Sequence, residues 1–266
     1  MTDKAMTGEG TTTPLISVVI PVYKNAKTLH KLHDMLSHTF SDLAVQCEMI
    51  YVDDACPEES LVVLQELIRS DPRVAVIVLE RNVGQQRALM TGLRFARGNQ
   101  IITMDADLQD PPSAIPDMLE KLQGGCAAVF AGRRGRYQSL LRLSFSRIFK
   151  TLLHLIVGVP RDAGAFVAMN RAMVDKLLDF RVRKPFIVSL IGFTGLPVTS
   201  IPVSRSRRSY GESAYSNLDR LRTGLDTLRL ACTWKWKPDR LYADSSQKFV
   251  SIKATLGSRF NTLAGE

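Results

Sequence analysis

The chain is expected to fold as an α/β protein on a mostly parallel sheet with helices on both faces. Three observations carry that expectation. Short apolar runs alternate four times with stretches of helical periodicity. The runs are continuously apolar and rich in β-branched residues, as in strands buried on both faces, rather than alternating polar and apolar. Two of them end in carboxylates, where open sheets of this kind bind their ligands.

Residues 15–20 (LISVVI) form the first strand, followed by Pro21. Asn25 is placed to cap a helix that carries Leu29, Leu32, Met35 and Leu36 on one face. Met49 to Val52 is the second strand and runs into Asp53 and Asp54. Pro57 suits a first helical turn, with Leu61, Leu64, Leu67 and Ile68 on the buried side. Val74 to Leu79 is the third strand. Ala88, Leu89, Gly92, Leu93 and Ala96 then make a helix closed by Gly98. Ile101 to Met104 is the fourth strand, ending at Asp105. Ser113 caps a helix carrying Ile115, Met118, Leu119 and Leu122, and Ala127 to Phe130 is the fifth strand. Ser139 to Val157 reads as a helix with a broad apolar side and a basic edge of Arg142, Arg147, Lys150 and His154.

Composition narrows the function. The 266 residues carry 35 Lys and Arg against 26 Asp and Glu, a net charge of +9, with 45% hydrophobic residues. That is globular composition and excludes collagen-like, low-complexity and disulfide-scaffold chains. Cys47, Cys56, Cys126 and Cys232 are scattered without metal-ligand spacing, as in a reduced, cytoplasmic protein. The polar N-terminus lacks the apolar core of a signal peptide, and residues 1–13 are expected to be a mobile tail. Pro185 to Ser204 is free of charge and long enough to span a bilayer. Gly192, Gly195, Pro197 and Pro202 interrupt it, so a helix, a turn and a strand are expected and no transmembrane helix. The base-rich stretches Gly132–Pro160 and Phe180–Gly211 contain no acid, which points the second half at something anionic. With 7% aromatic residues and no nucleic-acid motif, that partner is not expected to be nucleic acid.

Residues 105–112 read Asp-Ala-Asp-Leu-Gln-Asp-Pro-Pro. In extended backbone Asp105 and Asp107 project to the same side. Two hard oxygen donors leaving a strand end suit Mg²⁺ or Mn²⁺, which keep positions for substrate phosphates; a solvated acidic turn before a helix is the alternative. No G-x-G-x-x-G follows the first strand and no P-loop occurs, which argues against dinucleotide oxidoreductases and P-loop ATPases. His30 and His33 read as a surface pair.

The strings SVVIPVY, VDDACPEES, RNVGQQRALMTGLRFARG and DADLQDPP, in that order, resemble family 2 glycosyltransferases, whose common fold is the GT-A nucleotide-diphospho-sugar domain. NVGQQ and DADLQDPP are most similar to the polyprenyl-phosphate sugar synthase branch, the dolichol-phosphate mannose synthase type. RSRRSYGESAYS resembles that branch's R-x-x-R-x-x-G-x-S-x-Y pattern through Arg205, Arg208, Gly211, Ser213 and Tyr215.

The resemblance implies that Asp105 and Asp107, assisted by Gln109, hold a divalent ion against the donor diphosphate. It implies that Pro21, Tyr23 and either Asp53 or Asp54 line the base and ribose pocket, with Asn82 and Gly84 near the nucleotide. Arg133, with Arg136 and Arg147, would hold the acceptor phosphate, Asp162 would act on the acceptor side, and Arg205 and Arg208 would close over the pyrophosphate from a mobile loop. The chain departs from the family at Lys24-Asn25, where Asn-Glu is common, at Ser113, where an acid is usual, and in the loosely matching stretch Asp162–Phe166.

The expected organisation is a glycosyltransferase domain over 14–232, with a nucleotide-sugar half at 14–110 and an acceptor half at 111–232, then a basic tail at 233–266. The expected reaction is metal-dependent, inverting transfer from a UDP- or GDP-sugar to a polyprenyl phosphate. Transfer to a hydroxyl of a growing cell-envelope glycan or glycolipid is the alternative, and a non-catalytic basic binding protein is the reading from another class. The basic-edged helix at 139–157 either lies in a membrane interface or is buried against the sheet. In the first case the protein would sit peripherally on the inner face of the membrane, with room for a membrane-protein partner.

Overall fold

The computed structural model describes residues 16–134, 140–205, 217–242 and 250–261, with the side chains of 133–134, 140–148, 217–223, 259 and 261 left aside. Its centre is an eight-stranded sheet in the order β7-β5-β6-β4-β1-β2-β3-β8. The strands are β1 (Ile16–Val22), β2 (Cys47–Asp53), β3 (Val74–Leu79), β4 (Gln100–Thr103), β5 (Ala128–Arg134), β6 (Val167–Asn170), β7 (Val198–Ser204) and β8 (Ile252–Leu256). β1 pairs in parallel with β2 and β4, β2 with β3, and β5 with β7. β6 runs antiparallel between β4 and β5, so those two also point the same way. The carboxyl ends of β1, β2, β3, β4, β5 and β7 therefore share one edge of the sheet.

Helices cover both faces. α1 (Leu29–Leu43), α2 (Ser60–Ser70) and α4 (Ile115–Gln123) lie on one side; α3 (Gln85–Phe95), α6 (Arg171–Asp179) and α7 (Ile187–Phe193) lie on the other. α5 (Leu140–Val157) and α8 (Asn217–Trp236) pack together on that second side. Because side chains alternate along a strand, Val18, Ile20, Met49 and Tyr51 feed the first layer of core, and Val19, Ile50 and Val52 feed the second. α1 buries Leu29, Leu32, Leu36 and Phe40 on one stripe.

The expected elements appear with small shifts at their ends. α2 begins at Ser60, beyond Pro57, and Asn25 precedes a short 3-10 turn without capping it through its side chain. Ser113 lies inside a 3-10 turn, and Ala114 stands at the cap of α4. The charge-free stretch resolves into α7, a turn and β7. Among the described residues no helix is long and apolar enough to cross a membrane. Within the stretch expected as a basic tail, β8 adds an antiparallel edge strand to β3, and residues 1–13 lie outside the described residues.

Two packing features set the geometry. α3 lies close on β1 and β2 at Gly92, where a Cβ would come 2.3 Å from Val19 Cγ1 and 2.9 Å from Val52 Cγ2. His33 is not a surface residue. It is 7% exposed, its Nε2 lies 3.3 Å from Asp71 Oδ2 and its Nδ1 lies 3.5 Å from the Tyr51 hydroxyl. Arg73 also grips Asp71, through Nε at 3.0 Å and Nη2 at 2.7 Å. Burial pushes the His33 imidazole below its ordinary 6.5, against the opposing pull of Asp71.

Gly92→Ala is expected to cost about 1–3 kcal/mol, read as a lower denaturant midpoint, because the new methyl meets two branched side chains that have no room to move. His33 makes stability pH-dependent. Its folded pKa is depressed, so unfolding takes up a proton below pH 6.5 and stability falls as the pH drops through that value. Melting curves between about pH 7 and pH 5 are expected to show this loss, and His33→Gln to flatten it.

Candidate active site

At the shared strand edge, chain connectivity places the acidic residues side by side. β2 ends in register with Val22 of β1 and Val78 of β3 at Asp53, and the next residue, Asp54, donates its N–H to Val22 O at 3.0 Å. Asp54 is 1% exposed. Its Oδ1 accepts from Val83 N at 2.7 Å and its Oδ2 from Gly84 N at 2.9 Å, while Asn82 Nδ2 reaches Asp54 O at 3.3 Å. Gly84, at φ +88°, adopts a backbone that a side chain would strain, and turns this loop into α3. Burial pushes the Asp54 carboxyl above its ordinary range, and the two backbone N–H groups partly restore it. Asp53 engages its own loop, accepting from Cys56 N at 3.0 Å through Oδ1. Burial raises its pKa too, countered by that N–H and by the charge of Lys253.

After β4, Met104 N donates to Val19 O at 3.2 Å and the chain turns through Asp105, Ala106 and Asp107. Thr28 Oγ1 fixes this loop to the start of α1 by donating to Ala106 O at 2.6 Å, and Asp107 Oδ1 accepts from Gln109 N at 3.1 Å. Gln85, the first residue of α3, donates its side-chain amide to Asp105 Oδ1. Asp110 is 2% exposed and pairs through both oxygens with Nε and Nη2 of Arg205, which follows β7. Arg205 Nη1 also donates to Gln109 Oε1 at 3.1 Å, and its Nη2 stands 4.0 Å from Asp105 Oδ2. Burial opposes the Arg205 cation, but Asp110, with Asp105 and Asp107 behind it, outweighs that and holds its pKa above the ordinary arginine value.

Three of these loops contain a non-glycine residue in left-handed backbone: Lys24 after β1, Ala55 after β2 and Leu108 after β4, at φ +58°, +48° and +60°. Each such conformation costs roughly 1–3 kcal/mol and persists where its surroundings enforce it. Cys56 is one enforcing contact, its Sγ accepting from Lys24 N and from the Ser60 hydroxyl, each at 3.1 Å. Tyr23 lies half-buried at the end of β1 with Lys24 Nζ 5.5 Å from its ring centre, and Pro21 is buried in the strand opposite Val52.

Thus Asp53, Asp54, Asn82, Gly84, Asp105, Asp107, Gln109 and Arg205 gather at one edge, with Pro21 and Tyr23 beside them. Asp162 stands against β5, where its carboxylate occupies the space that a Cβ on Gly132 would fill. Arg133 is placed by its backbone at the end of β5, opposite Val203, but its side chain and that of Arg147 lie outside the described residues, as do Arg136 and Arg208 altogether. Sequence reading passed over Gln85 as a site residue, although it lies in the quoted NVGQQ string.

No three His, Cys, Asp or Glu residues among the described ones form a group able to hold a metal by themselves. The donor set still suits a divalent cation of the kind that takes one or two carboxylates and completes its shell with phosphate oxygens and water. Asp105 and Asp107, two residues apart after β4, offer two such carboxylates. Gln109 turns the oxygen it could offer toward Arg205.

A mostly parallel sheet with this acidic strand edge is the architecture of GT-A glycosyltransferases. Glucosyl-3-phosphoglycerate synthase from Mycobacterium tuberculosis, solved with Mn²⁺, UDP and phosphoglyceric acid, superposes with a TM-score of 0.61 at 19% identity, over 84% of this chain and 79% of that one. Mannosyltransferase PcManGT from Pyrobaculum calidifontis, in complex with GDP-Man and Mn²⁺, gives 0.56 at 17% identity, over 90% and 77%.

The chain belongs to Glycosyl transferase family 2, whose model matches residues 17–178. It is 31% identical over 228 residues to the uncharacterized glycosyltransferase YkcC of Bacillus subtilis (strain 168), covering 85% of this chain and 70% of that protein. It is 32% identical over 251 residues to the undecaprenyl-phosphate 4-deoxy-4-formamido-L-arabinose transferase of Klebsiella pneumoniae (strain 342), covering 93% and 75%.

Asp54→Ala would leave two backbone N–H groups without their acceptor at the entry to α3. The expected result is a loss of about 1–3 kcal/mol in stability, seen as a lower melting temperature, together with weaker nucleoside diphosphate binding by calorimetry.

Proposed function

We propose that this enzyme transfers a sugar, with inversion at the anomeric carbon, from a UDP- or GDP-sugar to a polyprenyl phosphate. The observation that carries the donor half is the convergence of Asp105, Asp107 and Arg205 at one strand edge. The relatives that act on undecaprenyl phosphate support the acceptor. Residues 14–110 form the nucleotide-sugar half and 111–232 the acceptor half.

Asp53 is the better placed of the aspartate pair to meet the base, since Asp54 commits both oxygens to the loop before α3. Pro21, Tyr23, Asn82 and Gly84 complete the nucleotide side. Arg205, oriented by Asp110, directs a guanidinium nitrogen toward Asp105, where it would share the charge of a diphosphate. Asp105 and Asp107 would hold Mn²⁺ or Mg²⁺, which when bound supplies Lewis-acid neutralisation of the leaving diphosphate.

In the transfer an acceptor oxygen forms the new bond to the anomeric carbon. The bond from that carbon to the β-phosphate oxygen breaks, and the nucleoside diphosphate departs with the electron pair. A phosphate acceptor is ionised at neutral pH and needs no general base. Arg133, at the end of β5, and Arg147, on α5, would bind it, with Arg208 closing over the donor. Asp162 beside Gly132 would serve as base only for a hydroxyl acceptor. A lipid acceptor together with a nucleotide-sugar donor would put the enzyme at the inner face of the membrane.

The test offers labelled nucleotide sugars with Mn²⁺ or Mg²⁺ and a short polyprenyl phosphate. Label is expected to pass into the organic phase, and Asp107→Ala to reduce the rate roughly a hundredfold or more, about 2.7 kcal/mol of transition-state stabilisation. Donor hydrolysis without lipid product would move the acceptor to a hydroxyl.

A further inference from the structure

Far from the acidic edge in sequence, the segment between α6 and α7 and the end of α8 enclose a cleft of about 640 Å³. Arg181, Arg183, Lys184, Arg229 and Arg240 line it, and Asp226 is the single acid among its lining residues. Asp226 lies 3.4 Å from Lys184 Nζ, which leaves a strong excess of positive charge.

The surface beside the cleft is apolar. Of six large hydrophobic side chains exposed among the described residues, five lie at this corner: Leu152 and Leu155 on α5, Leu225 and Trp236 on α8, and Tyr242 just beyond. Leu225, Arg229, Cys232 and Trp236 follow one another at helical spacing, so the exposed apolar stripe runs through a residue of the basic cleft. Trp236 is 84% exposed, whereas Trp234 is 5% exposed and packs edge-to-face on Phe193 at 5.9 Å. That contact anchors the last turn of α8, and Lys235 Nζ, 3.3 Å from Leu155 O, ties it to α5.

A solvated basic face accounts for the arginines but not for an outward-facing Trp on an anchored helix turn, with further exposed leucines on α5 and α8. A nucleic-acid groove would stack a base on the Trp but has no use for the exposed leucines. An anionic bilayer uses both, since Trp rings settle at the headgroup level while Lys and Arg pair with lipid phosphates. The corner also adjoins the active site. Arg87 Nη2 donates to Arg183 O at 2.6 Å and Ile187 N to Gln86 Oε1 at 2.8 Å, from positions two and one residues beyond the Gln85 that holds Asp105.

We infer that this corner, the basic cleft together with the α8 stripe, seats the protein on an anionic lipid bilayer. Trp236 enters the headgroup layer and the cleft cations meet the lipid phosphates. The inference deepens the proposed lipid-acceptor function by naming the surface that faces the membrane, and it moves that surface from the basic edge of α5 to α8 and the segment before α7.

The test is vesicle flotation of the full chain with equal parts phosphatidylglycerol and phosphatidylcholine, against phosphatidylcholine alone, with Trp emission recorded. Binding is expected on the anionic vesicles, with a blue shift that Trp236→Phe abolishes. Arg229→Glu with Arg240→Glu is expected to weaken binding tenfold or more, and Trp236→Ser to weaken it on its own, both with wild-type melting and wild-type nucleoside diphosphate binding. Equal flotation of the charge-reversed variant, an unshifted Trp236 emission, or retention of duplex DNA in place of vesicles at physiological salt each overturns the inference. Transfer to a short, soluble polyprenyl phosphate needs no bilayer. Transfer that persists without vesicle binding would overturn the docking surface and leave the acceptor assignment standing.

Discussion

The grip of Asp54 on the entry to α3 is the interaction on which the site depends. A carboxylate 1% exposed commits both oxygens to the N–H groups of Val83 and Gly84, while its own N–H continues the ladder to β1. A buried carboxylate that cannot find such donors is costly, so the loop and the strand end hold each other in one arrangement. Gly92 settles how deeply α3 sits on the sheet, and Asp54 settles where its first residue begins. The first three residues of α3 then reach outward in turn: Gln85 to Asp105, Gln86 to the start of α7 and Arg87 to the segment before it.

Around that fixed point the site is assembled from strained loops and one long-range ion pair. Lys24, Ala55 and Leu108 hold backbone conformations that their side chains disfavour, kept there by Cys56, Thr28 and the neighbouring strand ends. The Arg205–Asp110 pair joins the end of β7 to the loop after β4, across 95 residues of chain. A pair so deeply placed contributes little net stability, because desolvation offsets most of the attraction. Its contribution is position: it brings a cation that carries its charge at any physiological pH to the edge of the aspartates. The same economy of placement holds at β5, where Asp162 fits against the strand only because Gly132 has no side chain.

The succession of β1 to β5 and α1 to α4 could be read from the chain because each buries a periodic apolar face, and the period is a local property of the sequence. The clustering of acids at strand ends was legible for the same reason, since parallel strands joined by helices must end on one edge. β8 was not legible. Five residues containing a lysine become a strand only because β3 exposes an unpaired edge to them. His33 misled for a related reason: it shares the buried stripe of Leu29 and Leu36 on α1, but the partners that let an imidazole be buried there, Asp71 and Tyr51, arrive from other elements.

The amino-acid sequence by itself determined that this chain would be an α/β glycosyltransferase with Asp105 and Asp107 following a strand end, because apolar period, strand-end carboxylates and family strings are all written in consecutive residues. Tertiary structure decided the rest. It assigned Asp54 to the loop and left Asp53 facing its own turn, brought Arg205 to Asp110 and Gln85 to Asp105, and gathered an exposed Trp, leucines and arginines from three elements at one corner. The physical reason is common to all of these. Each depends on which groups the sheet register and helix packing bring within hydrogen-bonding distance, and that is a property of pairs far apart in the chain.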